Sequence, residues 1–263
     1  MSAPLPRRAL RALARGRAAA LAALLLAVPG PGLPAAAASG ARFAPPAGCT
    51  LEVTVQSRGC SVAQHYRCAA DRPGDQWVVY FDADGPVSRS RIDAETRWME
   101  STDLATGLVE RLEERAADHA SFSTLLAERA DDFDFWTRAS DGARLHHVGR
   151  DELTGETVII DGVPLERTRF RLRTTDEAGE VLLERQGQQF VSRSQRRFYG
   201  GIETLTDWTG TTEQRNDSPV NFAFPGEAGF AATTPEYDCD LQMVGPSGPP
   251  APQPPAHDKE ART

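Results

Sequence analysis

Alternation of apolar and polar residues is the main pattern of the chain between residues 49 and 240. Leu51, Val53 and Val55 alternate with polar residues near the start of this region, and a period of two is typical of β-strands with one buried face. Aspartate–glycine pairs such as Asp141-Gly142 interrupt the pattern and favour tight turns between antiparallel strands. The sequence therefore predicts a mainly β (α+β) fold, a curved antiparallel meander or half-barrel.

One region, near 103–130, departs from this pattern and predicts a helical insertion. Leu104, Leu108 and Leu112 recur every four residues among glutamate and arginine residues, which is typical of an amphipathic helix. A second short helix is predicted around Phe122, Leu125 and Leu126. Because apolar strand faces need a partner, we expect the leucine stripe to cover the sheet.

The first 38 residues have the layout of a secretory signal peptide. Five arginines precede a run of eleven apolar residues, Ala18–Val28, and the small residues Ala36–Ala38 follow. The run is too short to span a bilayer, and its flanks match a cleaved export signal. No cysteine for lipid attachment follows directly. We therefore predict a signal peptide over 1–38, a periplasmic location, and a protein that is not an integral membrane protein.

Composition divides the rest of the chain into three parts. Residues 39–48, rich in Ala, Pro and Gly, form a predicted linker, and 49–240 form a single predicted β-rich domain. Residues 241–263 include a proline-rich segment that cannot bury a core, so we predict a disordered tail. Loss of the signal arginines would change the net charge from −8 to −13. Such a charge argues against nucleic acid as a partner.

Four cysteines in an exported chain predict two disulfides. If Arg58-Gly59 forms a two-residue hairpin turn, Ser57 pairs with Cys60. The same register places three further pairs opposite each other: Val55 with Val62, Leu51 with Tyr66, and Cys49 with Cys68.

Opposed strand residues lie within disulfide distance, which favours a Cys49–Cys68 bridge. Cys60 would then pair with Cys239 in the last strand. The alternative, Cys60–Cys68 with Cys49–Cys239, stays open. A metal site is the competing interpretation, but the cysteine spacings fit no zinc pattern. We predict no metal and no cofactor.

A row of arginines is the strongest candidate for ligand binding. Alternation places the side chains of Arg167, Arg169, Arg171 and Arg173 on one face of a strand, with Thr168, Phe170 and Leu172 on the other. If Thr175 pairs with Glu180, Arg171 faces Glu184, whereas Arg169 and Arg167 face Gln186 and Gln188. The row is either a solvated outer face or a site for an anion, such as a phospholipid headgroup or an acidic sugar.

Common catalytic motifs are absent from the sequence. It contains no Gly-x-Ser-x-Gly elbow, His-Glu-x-x-His pair, phosphate-binding loop or dinucleotide fingerprint. His146 and His147 are adjacent, so on a strand they point to opposite faces and cannot bind one metal. These observations favour a protein that is not an enzyme.

The export signal, the meander and the helical insertion together resemble the periplasmic carrier proteins of the lipoprotein-localisation type. This resemblance covers most of residues 49–240. In that family a half-barrel sheet wraps around helices and shelters acyl chains, which implies a lipid or lipoprotein ligand. A second resemblance is to alphaproteobacterial envelope-integrity proteins with a spiral β-sheet. Those proteins place a disulfide between an early strand and the last one, as Cys60–Cys239 would here.

The sequence thus leads to two functional hypotheses. The first is an exported, non-enzymatic periplasmic envelope protein that binds a lipid, a lipoprotein or an envelope protein. The alternative is a secreted hydrolase with a carboxylate-based site that no motif reveals. A hydrolase needs a polar cleft with carboxylates whose pKa values are pushed apart, whereas a carrier needs a concave apolar face.

Overall fold

The computed structural model describes residues 42–242, and one open antiparallel sheet dominates this part of the chain. The strands are β1 (Cys49–Ser57), β2 (Ser61–Cys68), β3 (Gln76–Phe81), β4 (Pro86–Ile92), β5 (Trp98–Asp103), β6 (Val109–Leu112), β7 (Ala130–Ala139), β8 (Arg144–Ile160), β9 (Val163–Thr175), β10 (Val181–Ser192), β11 (Arg197–Tyr199), β12 (Ile202–Asp207), β13 (Thr212–Asn216) and β14 (Pro219–Ala223). The predicted mainly β fold class is confirmed. The predicted signal peptide and almost all of the predicted tail lie outside the described residues.

The strand order follows the chain with few exceptions. From β1 to β10 each strand pairs with the next one along the chain, with α1 in the connection between β6 and β7, and β12 and β13 extend the sheet beyond β10. The short β11 pairs only with β10, while β14 returns to pair with β1. Such local pairing is what closely spaced turn signals in the sequence predict.

The prediction of an amphipathic helix over the leucine stripe is wrong. Its residues form the end of β5, a turn and β6, and Leu104 and Leu108 are exposed. The Asp103 carboxylate accepts hydrogen bonds from the backbone N–H groups of Ala105 and Thr106, and Gly107 has a φ of +75°. This turn chemistry outweighs the four-residue leucine spacing.

The second predicted helix is confirmed as α1 (Phe122–Glu128). Ser121 is its N-cap and accepts a hydrogen bond from the Thr124 N–H, as N-cap serines commonly do. Phe122 and Leu125 are buried against Leu153 of β8 and Val191 of β10. The helical insertion is therefore much shorter than predicted.

The register of the first hairpin differs from the prediction at its turn. The connection has three residues, so Ser57 pairs with Ser61, and Val55 pairs with Ala63 rather than with Val62. A bulge between Leu51 and Val53 then restores the predicted pairs Leu51–Tyr66 and Cys49–Cys68. Because a bulge reverses the side-chain alternation, Leu51 packs in a different cluster from Val53 and Val55.

Both predicted disulfides, Cys49–Cys68 and Cys60–Cys239, are present. Cys239, however, begins the one-turn helix α2 (Cys239–Gln242) and does not lie in a strand. None of the described helices is long and apolar enough to cross a membrane.

The segment after β14 covers polar residues of the first hairpin. Thr54 donates to Gln64 Oε1 and accepts from the Ala231 N–H, and Gln64 donates to the Ala232 carbonyl. Gln56 similarly donates to the carbonyl of Thr234. Alternation alone would place these side chains in solvent, but the returning segment buries them. Part of the predicted linker also packs here, since the Phe43 ring lies 5.8 Å from Tyr66.

The sheet curves until its early strands contact its late ones. One core cluster joins Val53 and Ala63 of the first hairpin to Leu165 of β9 and Tyr199 of β11. The Gln76 side chain of β3 donates to the backbone carbonyls of Gln195 and Arg196 in the β10–β11 turn. These contacts enclose a space on the concave side of the sheet.

Substitution of Gly149 tests the packing between β7 and β9. A Cβ at this position would lie 2.4 Å from Phe133 Cζ and 2.5 Å from the Arg171 carbonyl oxygen. Gly149→Ala should lower the free energy of unfolding by about 1–3 kcal/mol, the usual effect of overpacking. Thr157→Ala, an exposed change on the same strand, should have little effect. Equal stability of both variants in urea unfolding would contradict this packing.

Candidate functional site

A cavity of about 490 Å³ lies on the concave side of the sheet, and each of the strands β2–β11 contributes to its wall. Its size falls in the range of small-molecule sites. Seven Phe, Trp and Tyr side chains line it: Trp77, Tyr80, Trp98, Phe133, Phe135, Phe170 and Phe198. Trp98 is 44% exposed and contacts Phe135 edge-on. The cavity therefore offers an aromatic surface for an apolar group.

A chain of hydrogen bonds crosses one wall of this cavity. Thr137 Oγ1 donates to the Glu110 carboxylate, and His147 Nε2 lies 2.8 Å from the same hydroxyl. The other ring nitrogen, His147 Nδ1, lies 3.1 Å from Thr174 Oγ1. Hydrogen bonding from His147 and then from Thr137 lowers the pKa of Glu110, although burial opposes this. Glu110 is therefore an ionised carboxylate whose Oε1 accepts from Thr137 and lies 3.5 Å from His147 Nε2.

His146, by contrast, points to the other face of the same strand. Its ring stacks on Trp136 at a centroid distance of 4.3 Å, and its Nε2 lies 2.6 Å from Asp134. The two adjacent histidines thus face opposite sides of the sheet, as the sequence predicts. Within residues 42–242 no group of three or more His, Cys, Asp or Glu side chains is arranged to bind a metal ion.

Asp151 is a second carboxylate in the cavity wall, and its pKa is shifted in the opposite direction from that of Glu110. It lies directly across from Asp131 in the β7–β8 register. Burial, and then the charge of Asp131, raise the pKa of Asp151 to about 7. Burial also raises the pKa of Asp131 to about 6, although the Ser121 N–H donates to it. The cavity wall therefore contains one carboxylate, Glu110, that stays ionised and another, Asp151, that binds a proton near neutral pH.

Arg197 and His65 occupy the part of the cavity wall next to β11. Arg197 is only 2% exposed, and its Nη2 donates to Glu52 Oε2 at 2.6 Å. Burial, and then the charge of Arg197, lower the pKa of His65 well below its usual value, so this imidazole is neutral. The Tyr199 ring contacts His65 edge-on at 5.6 Å.

The predicted arginine row lies on the convex face, away from this cavity. Arg169, Arg171 and Arg173 are exposed, whereas Thr168, Phe170 and Leu172 on the other face are buried. The convex face carries a shallow depression of about 800 Å³ lined by Arg171, Arg173 and several carboxylates, including Asp132 and Glu184. The alternation predicted for this strand is therefore confirmed.

The predicted partners of the row are wrong by two residues. A longer turn and a bulge between Val181 and Leu183 shift the register, so Glu184 pairs with Arg173 and Gln186 with Arg171. Arg173 forms an ion pair with Glu184 at 2.7 Å, and Arg167 forms one with Glu156 at 3.1 Å.

Two arginines of the row, Arg169 and Arg171, differ from their neighbours. Neither makes an ion pair or a side-chain hydrogen bond among residues 42–242. Anion binding by the row stays a prediction, and these two side chains are its available donors.

Sequence reasoning missed the cavity residues Asp151, Arg197 and Gln76. No local motif marks them, because they lie on three separated strands that meet only when the sheet curves. No protein-family model matches this sequence, and no curated protein or solved structure matches the chain.

The raised pKa of Asp151 predicts a pH-dependent effect of Asp151→Asn. The unfolded carboxyl titrates near 3.8 and the folded one near 7. Between these values only the folded state retains the proton, so Asp151 lowers stability as pH rises, by at most about 1.4 kcal/mol per unit. Relative to wild type, Asp151→Asn should therefore be more stabilising at pH 8 than at pH 5. Urea unfolding at both pH values measures this difference.

Asp84→Asn, a change at an exposed turn carboxylate, is the matched control and should show no such trend. An identical effect of Asp151→Asn on the free energy of unfolding at pH 5 and pH 8 would contradict the raised pKa of Asp151.

Proposed function

We propose that this protein is an exported, non-enzymatic envelope protein that binds a small amphipathic ligand, a lipid or a lipid-derived molecule, in the concave cavity. The observation that carries this proposal is the aromatic lining, which includes Trp98, Phe135 and Phe170. Aromatic side chains in a concave site favour apolar groups. The apolar part of the ligand would lie against these rings.

The compartment is supported by two independent features. The N-terminal segment has the composition of an export signal. Both cysteine pairs are bridged, and disulfides persist mainly in oxidising compartments such as the periplasm. A periplasmic binding protein is consistent with both.

Most charged groups in the cavity wall already have partners, which favours binding over catalysis. Arg185 forms three hydrogen bonds with Glu203, and Arg91 pairs with Asp75 at 2.7 Å. The engaged groups also include Glu100, which pairs with Arg111 at 3.0 Å. Side chains committed in this way position the wall but are not free to attack a substrate.

A secreted hydrolase is the second candidate, and one observation favours it. Glu110 and Asp151 both line the cavity, and their pKa values are shifted in opposite directions. This is the pattern of an acid and a base in carboxylate-based catalysis. In such an enzyme Asp151 would donate the proton and Glu110 would act as the base.

Binding of the neutral fluorescent amphiphile N-phenyl-1-naphthylamine tests the proposal. Wild type should enhance its emission, and Trp98→Ala should bind it about ten-fold more weakly because an aromatic wall residue is lost, a change of about 1.4 kcal/mol. Trp208→Ala is the matched control, since Trp208 is 66% exposed and lies outside the cavity. It should bind as wild type does.

Two results would contradict the proposal. Equal binding by wild type and Trp98→Ala, with a loss in Arg169→Gln/Arg171→Gln, would place the ligand on the convex face instead. Hydrolysis of p-nitrophenyl esters or glycosides that Asp151→Asn or Glu110→Gln abolishes would favour the hydrolase.

A further inference from the structure

We infer that the cavity recognises the head of its ligand as a carboxylate next to a hydroxyl group, bound between Arg197 and Gln76. This inference rests on the proposed function and names the class of ligand: a hydroxylated fatty acid or a similar hydroxy acid with an apolar tail. Both side chains line the cavity and both are nearly inaccessible to solvent.

Arg197 contributes buried donors without acceptors. Its Nη2 donates to Glu52, but Nε and Nη1 have no hydrogen-bond partner in the described part of the chain. Burial raises the pKa of Tyr199 to about 12, and the positive charge of the nearby Arg197 acts in the opposite direction. The Tyr199 hydroxyl donates its proton to Gln195 Oε1, and among the described residues no contact of Arg197 Nε or Nη1 with the Tyr199 oxygen has hydrogen-bond geometry. Buried unpaired donors are costly, so an acceptor on a ligand would be favoured here.

The charge around Arg197 also favours an anion. Glu52 accepts from Arg197 at 2.6 Å and from Arg67 at 2.7 Å, so one carboxylate serves two guanidinium groups. The other two arginines of the cavity wall, Arg91 and Arg185, each have their own carboxylate partner. Among the arginines of the cavity wall, Arg197 on β11 is therefore the one that shares its carboxylate partner with another arginine, so the excess positive charge lies there. Carboxylates form strong charge-assisted hydrogen bonds with guanidinium groups.

The remaining acidic groups of the wall do not cancel this charge. Glu100 and Glu110 are engaged with Arg111 and with His147, respectively. Asp151 binds a proton near neutral pH, because burial raises its pKa to about 7. At or below that pH, Glu110 on β6 is the carboxylate of the described wall that stays ionised without an arginine partner, and it lies on a different strand from Arg197 on β11.

Gln76 contributes the complementary acceptor. Its Nε2 donates to the carbonyls of Gln195 at 3.1 Å and Arg196 at 2.8 Å, which fixes the orientation of the amide. Its Oε1 is buried and has no partner among residues 42–242. Because Gln76 contacts the two residues that precede Arg197, the free acceptor and the free donors lie at the same end of the cavity. A hydroxyl beside a carboxylate would satisfy both.

Three amphiphiles with the same chain length test this inference: 3-hydroxydodecanoate, dodecanoate and dodecan-1-ol, each used to displace N-phenyl-1-naphthylamine at pH 6.5. Wild type should bind 3-hydroxydodecanoate most tightly. Arg197→Gln should weaken binding of both carboxylates about ten-fold or more, as expected for lost hydrogen bonds to a charged group, and leave the alcohol unchanged. Gln76→Leu also removes the bonds to the turn before Arg197, but it should weaken binding of 3-hydroxydodecanoate more than binding of dodecanoate and so abolish the preference for the hydroxylated acid.

Glu52→Gln provides an independent arm if Arg197→Gln fails to fold. It removes the negative charge that competes for Arg197 and leaves at most a neutral acceptor for Nη2, so it should tighten binding of dodecanoate while Arg197 is retained. Arg215→Gln, which removes an exposed positive charge paired with Glu213 on β13, is the charge-matched control and should not change binding.

The outcomes separate this inference from the proposed function. Binding of all three amphiphiles that neither Arg197→Gln nor Glu52→Gln alters would overturn the carboxylate site and leave the carrier proposal standing. Failure of every amphiphile to displace the probe from wild type would contradict the proposed function itself.

Discussion

The structure depends on the contact that the early strands make with the late ones, because an open sheet must bury its apolar face. A flat meander of these strands would leave that face in water. Here the first hairpin packs on Leu165 and Tyr199, and polar bonds from Gln76 and Arg197 fasten the same junction. Side chains on the concave face of the sheet therefore pack mainly against each other, and α1 fills only one part of the concave side. The remaining space is the cavity.

The same junction relates fold to function. Glu52 lies within the β1 bulge and accepts from Arg197 of β11, so a local irregularity in one strand supports a distant contact. Arg197 uses one nitrogen for this contact, and its other two nitrogens are buried without a hydrogen-bond partner among the described residues. The Cys60–Cys239 bridge and the segment after β14 cover the outside of the first hairpin. The stabilised first hairpin thus holds Glu52 in place, and Glu52 in turn fixes the position of Arg197 in the cavity wall.

Much of the fold could be predicted because alternation and turn residues are local signals. The disulfide pairing also followed from strand geometry, although a three-residue turn and a bulge had to compensate for each other. The leucine stripe was misleading because Asp103 and Gly107 form a turn within it. The cavity could not be predicted, since Gln76, Asp151 and Arg197 come together only through curvature, which has no sequence pattern.

The central claim is that the concave cavity holds an amphipathic acid in the living cell. Native mass spectrometry of the protein purified gently from its host cells tests this most directly. We expect a complex heavier than the free chain by the mass of a small hydroxylated fatty acid or related acid, which is released on denaturation and depleted in Arg197→Gln. A folded wild-type protein found only at the mass of the free chain would contradict the account.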